Sequence, residues 1–102
     1  MPKGYWVVSG EVTDPEGYKA YIAANGTALT KYGARFLMRG GRSAVVEGRG
    51  YSRTVVVEFK DFDTALACYR SPEYAEAKAF RDGKAELNIA VIEGYDGPQP
   101  GA

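Results

Sequence analysis

Arg35 and Arg39 are the most chemically suggestive pair in the chain. They lie in an alternating segment, Ala34 to Arg39, where an uninterrupted strand would put both on one face opposite Phe36 and Met38. Glu58 closes a run of valines, and Glu93 closes a second apolar run. Charged side chains in covered strands are costly unless they are paired. These residues therefore either form ion pairs where strands end or ring an opening. In the second case a guanidinium fork beside a carboxylate suits an anionic or carbonyl-bearing small molecule, with a desolvated Glu58 as general base. The first reading needs no ligand at all.

The tyrosines carry the same ambiguity. There are eight, with Tyr18, Tyr21 and Tyr32 in one helical pattern and Tyr69 and Tyr74 in another. A phenol joins a large apolar ring to a hydroxyl that needs a partner once buried. Such residues can line a pocket for an aromatic ligand or pack a helix onto a sheet. Trp6 can likewise be the aromatic wall of a cofactor-free oxygenase or plain core. The candidate ligand contacts are Trp6, Tyr18, Tyr21, Arg35, Arg39, Glu58 and Tyr69. No residue is assigned as catalytic.

Several chemistries can be struck out. The chain has no histidine, which removes Ser-His and Cys-His nucleophiles, imidazole bases, His-containing zinc sites and a proximal haem ligand. Its one cysteine, Cys68, cannot form an internal disulfide and lies between Ala67 and Tyr69 with no histidine and no charge cluster adjacent to activate it. Glu47, Glu58 and Glu93 have no metal-binding spacing, so neither metal nor cofactor is expected. Gly40-Gly41 and Gly48-Arg49-Gly50 match no phosphate-binding fingerprint and read as bends or bulges. Thirteen basic and thirteen acidic residues cancel, which argues against a nucleic-acid partner. No apolar stretch approaches the roughly 20 residues that span a bilayer, and no signal-peptide core follows Met1. A cytoplasmic protein without a membrane partner is the expectation.

At 102 residues the chain predicts one domain, residues 1–95, followed by a flexible Pro/Gly tail over 96–102. Gly4 to Val12 is rich in Trp, Tyr and Val and predicts a strand. Asp14-Pro15-Glu16 supplies a cap, a preset first φ and a first-turn acid for a helix that Gly33 can close. Its face reads Tyr18, Tyr21, Ile22, Asn25, Ala28, Leu29 and Tyr32. Ala34 to Met38 and Thr54 to Phe59 predict strands, separated by a short strand or irregular arm over 42–53. Asp63 is the expected cap of a second helix, which Ser71-Pro72-Glu73 restarts before it ends near Gly83. Asn88 to Ile92 completes the set.

The order β-α-β-β-α-β is the ferredoxin-like arrangement, an α+β fold with two helices on one face of a four-stranded antiparallel sheet. The other face cannot stay bare, because Tyr5, Val7, Thr54 and Val56 alternate against Trp6, Val8, Val55 and Val57. A small domain with two apolar sheet faces predicts a second copy of itself as cover.

Asp14 with Tyr18 and Tyr21, the segment Tyr32 to Gly41, Glu47-Gly48, Glu58-Phe59, the segment Tyr69 to Tyr74, Arg81 and Glu93-Gly94 together resemble the DUF1330 family. The resemblance implies a dimeric α+β barrel, the superfamily of antibiotic-biosynthesis monooxygenase-like and muconolactone isomerase-like proteins. It also implies a small organic ligand between helices and sheet, and it assigns no reaction. Two functional readings follow. The first is a homodimeric small-molecule-binding or cofactor-independent enzyme-like protein, for which a cavity of about 300 Å³ or more is expected. The second is a non-catalytic structural or regulatory dimer with a filled interior.

Overall fold

The computed structural model describes residues 2–101. Met1 and the final residue of the tail, Ala102, lie outside that range. The elements run β1 (Gly4–Val12), α1 (Pro15–Lys31), β2 (Arg35–Arg39), β3 (Arg53–Phe59), α2 (Phe62–Tyr69), α3 (Pro72–Ala79) and β4 (Ala85–Glu93). The strands form one antiparallel sheet in the order β2-β3-β1-β4, which is the ferredoxin-like α+β topology. Among the described residues no helix is long and apolar enough to cross a membrane.

Local chemistry sets the helix ends. The Asp14 carboxylate accepts a hydrogen bond from the Gly17 amide at 3.0 Å, with Pro15 at the first helical position and Glu16 in the first turn. At the other end Gly33 takes a φ of 67°, and the Gly33 and Ala34 amides donate to the carbonyls of Thr30 and Leu29. That is a Schellman closure, and it turns the chain straight into β2. The cap of α2 corrects one expectation: Asp61, not Asp63, accepts from the Thr64 amide at 2.8 Å. Asp63 sits inside the first turn, where its charge favours the helix dipole but reaches no free amide.

The second helix is broken in two, and Ser71 makes the break tolerable. Its buried hydroxyl donates to the Cys68 carbonyl at 2.7 Å and accepts from the Tyr74 amide at 3.1 Å. One side chain thus satisfies the end of α2 and the start of α3. The predicted strands hold with shifted ends, and β4 begins three residues earlier than expected, at Ala85. Residues 42–52 contain no strand and form an irregular arm. Its base is tied by the Glu11 carboxylate, which accepts from the Ser52 amide at 2.9 Å and from the Ser52 hydroxyl.

Register decides which side chains meet. Trp6 pairs with Val57 and Val8 with Val55, so these four share the helix-covered face with Phe59. Trp6 lies with its ring centroid 5.2 Å from Phe59 and 5.0 Å from Tyr74, at the centre of the core. The opposite face carries Tyr5, Val7 and Val56, flanked by Ala90, Ile92 and Met38. Among the described residues no helix lies over it, and Ile92 and Met38 stay about half exposed.

Between Phe36 and Met38 the strands fall out of step. Phe36 pairs with Val57 and Met38 with Val56, so β2 advances two residues while β3 advances one. Leu37 is the extra residue of a β-bulge. Gly40-Gly41 was expected to bend or bulge the chain, and Gly40 does bend it, with a φ of 64°; the bulge at Leu37 was not foreseen. Past Leu37 every side chain of β2 changes face, since the side-chain period is two.

Candidate functional site

The bulge sorts the two arginines apart. Arg35 pairs with Glu58 on the open face, whereas Arg39 pairs with Val55 and falls on the helix-covered face. The expectation that both share a face is therefore corrected. Arg35 makes an ion pair with Glu58, Nε to Oε1 at 3.8 Å, and the Tyr5 hydroxyl donates to Glu58 Oε2 at 3.4 Å. Arg35 is largely exposed, so this pair is worth little in stability. Glu58 lies across the sheet from the helices.

Under α1 the remaining residues do converge. Trp6, Tyr18, Tyr21, Phe36, Arg39 and Arg53 line a cleft between the helix and strands β1, β3 and β2, with Asn25 and Leu29 also in its wall. Its enclosed part is about 40 Å³, room for a few waters, so most of the helix–sheet interface is filled. The expected cavity of about 300 Å³ is not enclosed there. Through Tyr18, Ile22 and Arg53 the cleft shares its wall with an open groove of about 330 Å³ that reaches Val12, Pro15 and Ser52. Ligand-sized space lies in the groove, on the other side of those shared residues.

Tyr18 and Tyr21 give the cleft its phenols, and Tyr74 lies buried behind Tyr21. Tyr21 and Tyr74 share a 2.7 Å hydrogen bond between their phenol oxygens, and the Tyr18 ring lies 5.1 Å from Tyr21. Burial pushes the Tyr74 phenol well up, helped by Tyr21. Burial also raises Tyr18, with Tyr21 adding to it and Arg53 and Arg81 offsetting part. Both therefore stay neutral and able to donate throughout the physiological range. The Arg81 guanidinium lies 5.4 Å from the Tyr21 ring centroid, and its buried Nε has no hydrogen-bond partner among the described residues. Arg39 stacks on Phe36 at 4.1 Å from the ring centroid. Gly40 permits this crowding, because a side chain there would strike the Arg53 guanidinium.

Trp6 offers the cleft its ring only. Its indole Nε1 donates to the Ala65 carbonyl at 2.8 Å and has no further hydrogen to give. Tyr69 stands off the cleft, edge-on to Trp6 at 5.9 Å, with its hydroxyl accepting from Lys78 at 3.2 Å. Of the seven candidates, Trp6, Tyr18, Tyr21 and Arg39 thus meet in one place, while Arg35, Glu58 and Tyr69 lie elsewhere. Arg53, Asn25 and Tyr74 were not among the candidates. Arg53 had a usable signal, since it lies two residues before Val55 and four before Val57, on the same face of β3.

Cys68 has no part in the cleft. Its thiol is fully buried and lies 3.7 Å from the Ala28 carbonyl oxygen, to which it can donate. Burial, reinforced by the Glu73 charge, pushes its pKa from 9.0 to about 12. A raised folded pKa means the contribution to stability is complete below pH 9 and is lost as pH climbs toward 12, because the unfolded thiol ionises first. The native protein is expected to resist a thiol reagent at pH 8 and to react fully in denaturant. Rapid labelling of the folded state would contradict this burial.

A four-stranded sheet backed on one side by helices, with an arginine- and tyrosine-lined cleft beneath the first helix, defines a small ferredoxin-like α+β protein. The family model DUF1330, a domain of unknown function, matches residues 3–95, and the chain belongs to that family. The fold is similar to a crystal structure of a protein of unknown function from Rhodopseudomonas palustris, with a TM-score of 0.73 at 15% identity, covering 94% of this chain and 85% of that one. It is also similar to SnoaB from Streptomyces nogalater, described as a cofactor-independent oxygenase, with a TM-score of 0.61 at 11% identity over 98% of this chain and 99% of SnoaB. A third relative in fold is a dimeric protein of unknown function from Bacteroides fragilis, with a TM-score of 0.53 at 14% identity, covering 91% and 97% of the two chains. No curated protein matches the sequence.

Proposed function

We propose that this protein is a cytoplasmic homodimer that binds a small organic molecule in the cleft beneath α1. The observation that carries the reading is the meeting of Trp6, Tyr18, Tyr21, Arg39 and Arg53 around a narrow cavity that shares its wall with a 330 Å³ groove. Aromatic walls with a few placed polar groups are what small-molecule sites are made of. The likeness in fold to SnoaB is compatible with chemistry at such a site, carried out without metal or cofactor.

Pairing is supported by the open sheet face. Val7 lies between Val56 and Ala90, and Tyr5 and Met38 extend the apolar area, with Ile92 and Met38 each about half exposed. A contiguous apolar patch on so small a domain calls for a partner, and a second copy offers a matching sheet. The Bacteroides relative in fold is described as dimeric. The buried, unpaired Cys68 suits a reducing compartment.

The alternative, a non-catalytic structural or regulatory dimer, is favoured by one observation: the enclosed cavity is only about 40 Å³. Extraction of the native protein with organic solvent, followed by mass spectrometry, separates the two. A stoichiometric small molecule supports the first reading. An empty protein whose Tm no small aromatic compound raises supports the second.

A further inference from the structure

Charge in and around the cleft is unbalanced. Arg39 and Arg53 line it, Arg81 backs its tyrosine wall, and no acidic side chain lies in its lining. None of these three guanidiniums has a carboxylate partner among the described residues. The carboxylates nearby in the fold are already engaged: Glu11 holds Ser52 at the base of the arm, Asp14 caps α1, and Glu16 pairs with Lys19. The rest of the wall is apolar or phenolic, with Trp6, Phe36 and Leu29 closing the inner end. The Arg81 Nε, buried without a partner, adds an unspent donor behind Tyr21.

From this we propose that this site takes a planar aromatic monoanion, with its carboxylate on Arg39 and Arg53 at the cleft and its ring along Tyr18 and Ile22 in the adjoining groove. The inference rests on the reading of the cleft as a ligand site and names the ligand class. A guanidinium matches a carboxylate with two parallel N–H donors, and such charge-assisted bonds are roughly twice as strong as neutral ones. The 40 Å³ cleft between α1 and the sheet admits only a small group, so the ring belongs in the open groove of about 330 Å³ beside it. The Tyr18 hydroxyl can donate to a ring substituent.

The test uses the dimensions of the cleft and the chain's one tryptophan. 4-Hydroxybenzoate and its neutral isostere 4-hydroxybenzamide are titrated into the full chain while the Trp6 indole N–H resonance is followed. The acid is expected to bind at least about tenfold more tightly than the amide, and the preference should shrink at high salt. Arg39→Gln combined with Arg53→Gln should abolish the preference, whereas Arg35→Gln, an equal charge loss on the other face of the sheet, should keep it. Equal binding of acid and amide would overturn the anionic assignment while leaving the cleft as a site. If neither compound moves the Trp6 signal at millimolar concentration, both the assignment and the cleft reading fall.

Discussion

Replacing Trp6 with alanine is expected to destabilise the fold by about 3–5 kcal/mol, the range for deleting a buried aromatic side chain. Trp6 is 2% exposed and packs on the rings of Phe59, Tyr69 and Tyr74, while its indole nitrogen donates to the Ala65 carbonyl. Alanine would leave a cavity against three aromatic rings and remove the indole's hydrogen bond to the Ala65 carbonyl inside α2. A domain of this size has a stability of roughly 5–15 kcal/mol, so the loss takes a large fraction of it. At roughly 4–8 °C per kcal/mol, Tm should fall by at least about 12 °C. Trp6→Phe isolates the hydrogen bond, since it keeps most of the packing; it should cost about 1–3 kcal/mol. Urea denaturation of the three proteins checks the order. A Trp6→Ala variant within about 1 kcal/mol of the parent would mean the residue is not the keystone of the core.

The second large effect concerns the bare face of the sheet. Val56→Glu is expected to convert a dimer into a monomer, raising the dissociation constant at least about a hundredfold, because an unpaired charge buried in an apolar seam costs about 3–5 kcal/mol. Val56 lies between Val7 and Met38 near the middle of the open face, well away from Arg35 and its partner Glu58 at the strand end. In an isolated chain the same substitution falls on a half-exposed side chain and should alter stability by no more than about 0.5 kcal/mol. Sedimentation at micromolar concentration tells the two cases apart. A parent protein that sediments as a monomer would refute the pairing, and a Val56→Glu protein that stays dimeric would place the seam elsewhere.

Much of the fold was legible because it is local. Asp14 followed by proline and glutamate can hardly do anything but start a helix, and Ser71-Pro72-Glu73 repeats the device. Gly33 closes α1 because a left-handed residue is needed there. Alternation assigned the faces of β1 and β3 correctly, and with them the aromatic core around Trp6. The cap of α2 was harder, since Asp61 and Asp63 are both capping residues two positions apart. Only the geometry of the turn out of β3 selects the one whose carboxylate reaches the Thr64 amide.

The opening pair of arginines marks the boundary. Residue type established that any chemistry here must do without histidine, but the expectation that Arg35 and Arg39 sit in a covered strand fails, because β2 is an edge strand exposed along its length. Tertiary structure decided which arginine does which. The extra residue at Leu37 exists only because β2 pairs with β3, and pairing is a long-range property that no local pattern in β2 encodes. It sends Arg35 to Glu58 on the open face and Arg39 to the cleft, where Arg53 joins it from β3. The volume left between α1 and the sheet is likewise a sum over side chains distant in sequence. Composition could name the lining of that space; only packing could set its size.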